Sequence, residues 1–309
     1  MNVQRRDFLL LVTLAAGVPT PTWGQGVGPS IAPAGSGTQS AASIPDFSGI
    51  WAHPSSGFEP PLSGPGPVRN KSRLPTGESN FDQLVGDYTN PILQPWAAEV
   101  VKKFGEISLR GGGVPDPENQ CSPEGVPYIF WNQLMQMLQQ PERITFLYVE
   151  DHEVRRVRMN QPHPAHVTPS WYGDSVGHYE GETLVIDTVG IKVGPVSPVD
   201  FFGTPHTEAV HVIERYRLLE YEAAKEAQER GEKEDRPSRM RPIDAAYKGK
   251  GLQLEITVED DGAFTMPWSA TVTYRRALGE WPEYVCAENR HEYYAGKDAA
   301  VPTAEKPDF

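Results

Sequence analysis

The sequence predicts a mainly β protein: a single antiparallel barrel of about eight strands with a few peripheral helices, a β-sandwich being the alternative. Three observations carry this. Apolar and polar residues alternate at period two, most cleanly where Leu252, Leu254, Ile256 and Val258 are separated by Gln253, Glu255, Thr257 and Glu259. The 30 prolines and 29 glycines call for many turns and long loops, more than an all-helical protein tolerates. The candidate strands number about eight, which is enough to close a small barrel.

The chain begins with Arg5-Arg6-Asp7-Phe8-Leu9-Leu10 and an apolar run to Val18. This resembles a twin-arginine export signal, and the apolar run from Leu9 is too short for the roughly 20 residues that span a bilayer as a helix. Ala32-Pro33-Ala34 has the small-x-small form of a cleavage site, and a cut near Gly24 or Gln25 is equally arguable. The segment from Gly24 to Ser43 is rich in Gly, Ala, Ser and Pro and cannot bury enough surface to offset its chain entropy. The expected organisation is an export signal over residues 1–34, a flexible tether over 35–46 and one barrel domain over 47–309. The expected location is the periplasm or the exterior.

In the body of the chain the strand candidates are Gly49 to His53, Ile144 to Val149, Glu153 to Met159, Thr183 to Val189, Val210 to Leu218, Leu252 to Glu259, Trp268 to Arg276 and Glu283 to Cys286. Asp151-His152 and Glu180-Gly181-Glu182 read as tight connections. A helix is expected over Gln94 to Glu106, with Pro95 at its start and Trp96, Val100, Val101 and Phe104 on one stripe. A second, short helix is expected over Tyr128 to Gln140. The stretch 220–250 is dense in Glu, Lys and Arg and is expected to be a solvated helical excursion or mobile loop.

The chain carries a formal −13, and removal of residues 1–43, which hold Arg5, Arg6 and Asp7 at a net +1, leaves −14. Such a charge repels phosphate backbones, so nucleic acid is not an expected partner. Cys121 and Cys286 are the two cysteines. In an oxidising compartment they are readily closed as a disulfide worth roughly 4 to 5 kcal/mol in the chain-entropy model. Two free buried thiols are the alternative, and no motif supports a cysteine nucleophile.

Gly49-Ile50-Trp51 resembles the Gly-x-Trp signature of lipocalin-like barrels, in which the tryptophan plugs the closed end and a late-strand arginine packs over it; Arg275 or Arg276 is placed to do so. Further segments resemble a family of uncharacterised exported bacterial proteins. They are Pro45-Asp46-Phe47-Ser48-Gly49-Ile50-Trp51, Cys121 with Gly125-Val126-Pro127, His163-Pro164 followed by Pro169-Ser170-Trp171, and Gly177-His178-Tyr179-Glu180-Gly181-Glu182-Thr183 running on to Thr188. Pro205-His206-Thr207-Glu208-Ala209, Val212-Ile213-Glu214-Arg215-Tyr216 and Tyr284-Val285-Cys286 complete the set. The resemblance implies a shared fold and supplies no chemistry.

Histidine suits proton transfer near neutral pH, and His163, His166, His178, His206 and His211 are concentrated around one candidate strand. Asp187 sits mid-strand on the face of Val185 and Val189, where an inward carboxylate needs a cation such as Arg156, Arg158 or Arg215. Glu214 and Tyr216 alternate with Val210 and Val212. Trp171, Tyr172 and Trp268 add aromatic surface suited either to the core or to a small hydrophobic ligand. His163-x-x-His166 and His206-x-x-x-x-His211 lack a third ligand at a familiar spacing, so no metal is expected. No nucleotide motif occurs. Gly173-Asp174-Ser175-Val176-Gly177 lacks the helix-forming sequence that follows a nucleophile elbow.

The expected function is cofactor-independent acid/base chemistry, of lyase, isomerase or cyclase type, on a small hydrophobic or aromatic molecule in a barrel pocket. His178 or His206 is the expected base, Asp187 or Glu214 its orienting carboxylate, and Arg215 or Tyr216 the donor to developing negative charge. His163, His166, Trp171, Tyr172, His211 and Trp268 are expected to contact substrate. The alternatives are a non-catalytic small-molecule-binding protein and a metal-dependent hydrolase.

Overall fold

Period-two alternation becomes architecture when a sheet closes and sends every second side chain inward. The computed structural model describes residues 44–281 apart from 56, 62, 118, 121, 132, 133, 150–152, 235–242 and 280. Its strands are β1 (Gly49–Ala52), β2 (Leu134–Gln140), β3 (Arg143–Tyr148), β4 (Val154–Met159), β5 (Asp174–Glu180), β6 (Thr183–Val189), β7 (His211–Leu219), β8 (Gly251–Glu259) and β9 (Trp268–Arg276). Each pairs with the next, and β9 returns to β1 with Arg276 opposite Trp51, so the sheet is a closed barrel. The described strands number nine rather than about eight.

An odd number has a geometric consequence. Strands that alternate direction all the way round meet in parallel at the closure when their number is odd, so an antiparallel closure requires one parallel pair elsewhere. That pair is β4–β5. It is also short, running only from Val157 opposite Ser175 to Met159 opposite Gly177, whereas β7–β8 pair from His211 opposite Glu259 to Leu219 opposite Gly251. The crossover that makes it possible is the loop 160–173.

Two strands were hidden from the sequence. The expected helix over Tyr128 to Gln140 is instead a 3-10 turn at Tyr128–Phe130 followed by β2. Leu, Met and Gln favour helices, but Met135 and Met137 fill the barrel while the strand bridges β1 and β3, and tertiary pairing overrides local preference. β5 carries Gly177 at an inward position, where a Cβ would approach Met159 Sδ and Val157 Cγ1 to 3.0 Å. That glycine interrupts the apolar alternation. The Glu180-Gly181-Glu182 connection is the β5–β6 hairpin, with Glu180 opposite Thr183. Glu283 to Cys286, Cys121 and the expected signal and tether up to Ser43 lie outside the described residues.

At one end Trp51 is buried, its indole Nε1 donating to the Phe47 carbonyl at 3.0 Å, and the Arg276 guanidinium lies 4.3 Å over its ring. Arg276 also reaches the Ser48 carbonyl at 3.2 Å. Gly49, at φ +143, is demanded by this arrangement, because a Cβ there would fall 1.4 Å from Arg276 Nη1. The cation over Trp51 is thus Arg276, while Arg275 reaches Gln228 Oε1 at 2.9 Å.

Helix α1 (Pro95–Leu109) forms as expected, but its buried face is Ala97, Val101, Phe104, Gly105 and Ser108. Trp96 and Val100 are exposed; Trp96 instead donates from its ring to the Gly262 carbonyl at 2.7 Å. Helix α2 (Tyr221–Glu234) occupies the first half of the charged stretch and lies against β8 and β9, with Ala224, Ala227 and Gly231 buried. No described helix is long and apolar enough to cross a membrane.

Candidate functional site

The same four strands, β4 to β7, carry polar clusters on both faces of the barrel wall. Inside, Arg155 on β4 meets Glu214 on β7 in a two-pronged ion pair, at 2.9 Å to Oε2 and 2.5 Å to Oε1. Arg155 also donates to Ser175 Oγ at 3.0 Å and to Thr188 Oγ1 at 2.8 Å, and the Tyr216 hydroxyl donates to Glu214 Oε2 at 2.9 Å. Both charged side chains are fully enclosed, at 1% and 0% exposure. Burial alone favours loss of the Arg155 proton; the Glu214 carboxylate overrides it and pushes the pKa up. Burial drives the Tyr148 phenol up to about 12, and Tyr216 and Tyr274 are raised chiefly by burial, with the Glu214 charge adding to it. These three phenols therefore keep their protons near neutral pH.

The rest of the interior is equally full. Inward side chains from Trp51 on β1 to Tyr274 on β9, including Phe146, Ile186, Leu254, Val272 and Trp268, each expose 3% or less. A void large enough for water would leave accessible area on its walls. Among the described residues, the inward side chains therefore leave no such space between them.

Outside, a different arrangement crosses the strands. Asp187 on β6 faces out, and its Oδ1 accepts from two imidazoles, His163 Nε2 at 3.1 Å and His211 Nε2 at 2.9 Å. Each ring is held at its other nitrogen by a second carboxylate: His163 Nδ1 by Asp174 Oδ1 at 2.7 Å, and His211 Nδ1 by Glu259 Oε2 at 3.1 Å. Arg158 on β4 closes the far end on Asp174 at 2.8 Å. The result is an unbroken relay, Arg158–Asp174–His163–Asp187–His211–Glu259. Its middle members are part-exposed, at 24% for His163, 40% for Asp187 and 28% for His211. Oδ2 of Asp187 has no hydrogen bond among the described residues, so one carboxylate oxygen is held by two imidazoles and the other is left without a partner there.

Backbone features build the relay. The alternation of β4 sends Arg155 in and Arg156 and Arg158 out. Asn160, at φ 55, turns the chain away from the barrel, a conformation that asparagine tolerates. The proline-rich crossover then carries His163 back across β5 to Asp187. His211 is the register partner of Glu259, and Asp187 lies diagonally from it across the β6–β7 pair.

Beside the relay, at the β4–β5 seam, is a cleft of about 430 Å³ whose walls include Glu142, Arg143, Arg156, Arg158, Gln161 and Asp174. Asp174 belongs to both the cleft and the relay.

The structure therefore regroups the predicted residues. His178 is exposed and pairs with Glu180 at 3.2 Å, which Arg215 holds at 2.6 Å; Arg215 then lowers the Glu180 pKa, with His178 adding to it. His206 is buried in a loop, donating to the Thr207 carbonyl at 3.0 Å, and burial lowers its pKa. Neither approaches Glu214 or Tyr216, which face into the core. Asp187 does share a face with Val185 and Val189, but it is the outer face, and its partners are histidines rather than Arg156, Arg158 or Arg215. His166 is exposed, Trp171 is half-buried with Lys192 5.0 Å over its ring, and Tyr172 stacks on Tyr148 at 5.8 Å. Trp268 is core, between Phe58 and Phe264.

Sequence reasoning missed Arg155, Asp174, Glu259 and His53. Arg155 shares the period of Val157 and Met159, a signal that points inward despite the charge. His53, just past β1, is fully buried; its Nδ1 donates to the Trp131 carbonyl, its Nε2 accepts from Ser55 Oγ at 3.2 Å, and burial lowers its pKa to about 4. No local pattern announces it. Among the described residues no group of three His, Cys, Asp or Glu is disposed to hold a metal ion. Compared with known proteins, the sequence matches no family model and no curated protein.

Proposed function

We propose that this is an exported protein that performs acid/base chemistry of the lyase, isomerase or cyclase type on a small molecule at the outer face of its barrel, with Asp187 as the proton-transfer group. The observation that carries this reading is the doubly held carboxylate: Oδ1 of Asp187 bound to two imidazoles, Oδ2 open. Each of the two imidazoles stands between two carboxylates, within hydrogen-bond reach of one at either nitrogen, so it can receive a proton on one side and pass one on from the other. A proton taken by Asp187 is compensated by a shift along the relay, and one given up is replaced in the same way. This chemistry needs no cofactor. Asp187 touches substrate, and His163 and His211 are positioning residues. Export is supported by Arg5-Arg6-Asp7-Phe8-Leu9, and the lipocalin-like reading of the barrel by Gly49, Trp51 and the stacked Arg276.

Deuterium wash-in tests the chemistry across whole classes of substrate at once. The purified protein is incubated in D2O with small ketones, 2-oxo acids and aromatic enones, and loss of C–H signal is followed by proton NMR. The wild type accelerates exchange in at least one class, and Asp187→Asn is slower by about 100-fold or more. Equal rates for the two, or no acceleration by the wild type in any class, overturn the proposal and leave the non-catalytic binding protein as the reading.

A further inference from the structure

We infer that the cleft at the β4–β5 seam binds the oxyanion of the substrate, a carboxylate or a phosphate monoester, through Arg143 and Arg156. This deepens the proposed function and rests on it. The formal charge of the chain is −13, yet three arginines converge on this one cleft. Arg143 and Arg158 are directly opposed across β3–β4, and Arg156, opposite Thr145, stands one outward position further along. Like charges facing each other across a strand pair repel.

Arg158 finds relief in Asp174, and its Nε is buried without a hydrogen-bond acceptor. Arg143 and Arg156 have no partner among the described residues. Unpaired guanidinium groups beside an unsatisfied N–H are a donor set without its acceptor. Their planar forks match the oxygens of a carboxylate or phosphate, and the cleft volume of about 430 Å³ suits a metabolite rather than a polymer. Asp174 lines the cleft and leads through His163 to Asp187, so one chain of hydrogen bonds joins the cleft to the proton-transfer group.

Isothermal titration of the purified protein with inorganic phosphate, succinate and uncharged succinamide tests this. The wild type binds at least one of the two anions and not succinamide; tighter phosphate identifies a phosphate ester, and tighter succinate a carboxylate. The double substitution Arg143→Gln with Arg156→Gln weakens that binding at least about tenfold. The lysine pair, Arg143→Lys with Arg156→Lys, keeps the charge but loses the fork and weakens it less. Arg215→Gln, which removes an outer arginine already paired with Glu180, changes nothing. Absence of binding of either anion by the wild type, or undiminished binding by both double variants, overturns the inference. Asp187→Asn separates the two proposals: it retains anion binding while losing exchange, so binding without exchange sinks the chemistry alone, and exchange without anion binding sinks the cleft alone.

Discussion

The inner and outer faces of β4 to β7 carry two polar networks a strand's thickness apart, and they differ in what they leave open. The inner one, Arg155–Glu214 with Ser175, Thr188 and Tyr216, satisfies its charges with hydrogen bonds and is sealed. The outer one, from Arg158 to Glu259, is just as continuous but leaves a carboxylate oxygen and two neighbouring arginines without partners among the described residues. A satisfied network holds a fold, whereas an incomplete one beside a cleft has something left to bind. The outer network lies at the one parallel pair among the described strands, where the pairing is short and a crossover loop can bring in a histidine from outside the sheet.

The widest separation between the two is in stability. Glu214→Gln strands the Arg155 charge in the core, and the expected loss is about 3–5 kcal/mol in a chemical denaturation midpoint experiment. Replacing both, Arg155→Met with Glu214→Leu, recovers a large part of it, because an apolar pair costs less to bury than an unpaired charge. If Glu214→Gln denatures like the wild type, the inner network is not what holds the fold.

How much of this was legible follows the range of the information. Local periodicity identified β6 and β9 to the residue and α1 within three residues of its end. The contact of an arginine with Trp51 was also readable, because Gly49, Trp51 and Arg276 form a pattern in which each residue explains another. Faces were harder. β6 is apolar on both sides, with Leu184 and Ile186 inward and Val185 outward yet buried, so alternation alone does not say which side of the strand Asp187 occupies. The relay was least legible, since His163 reaches Asp187 only through a parallel crossover that exists because the strand number is odd. That number depended on β2 and β5, the strands whose sequences conceal their period.

Acid sharpens the comparison from the buried side. His53 is neutral in the fold because its pKa falls to about 4 from 6.5, and Asp200, buried with its Oδ1 accepting from two backbone N–H groups, is raised by burial to about 6 from 3.8. The signs oppose. The depressed histidine contributes stability that is present above pH 6.5 and lost as the pH falls towards 4. The raised carboxyl contributes stability that is present below pH 3.8 and lost as the pH rises towards 6. Each is worth about 3 kcal/mol in full, so in the wild type they largely cancel. Asp200→Asn keeps the acceptor and removes the titration, which exposes the histidine. Relative to the wild type, that variant loses up to about 3 kcal/mol between pH 7 and pH 4, measured by denaturation at each pH. A variant curve that stays flat between pH 7 and pH 4 means that His53 is not held neutral by the fold, whereas parallel curves for variant and wild type mean that the Asp200 carboxyl is not raised.

The smallest effect on stability is the one that best separates the two networks. Asp187→Asn preserves an oxygen that still accepts from His163 and His211, and the groups are 24% to 40% exposed, so solvent screens much of the lost charge. The expected change in stability is under about 1 kcal/mol, against the several lost by Glu214→Gln on the other side of the same wall. A residue that anchors the fold cannot be changed so cheaply. Under the proposed function, what Asp187→Asn loses instead is the ability of Oδ2 to take a proton, which a stability measurement does not read. If Asp187→Asn instead unfolds as readily as Glu214→Gln, the outer relay is a second structural network, and the division of labour between the faces of the barrel disappears.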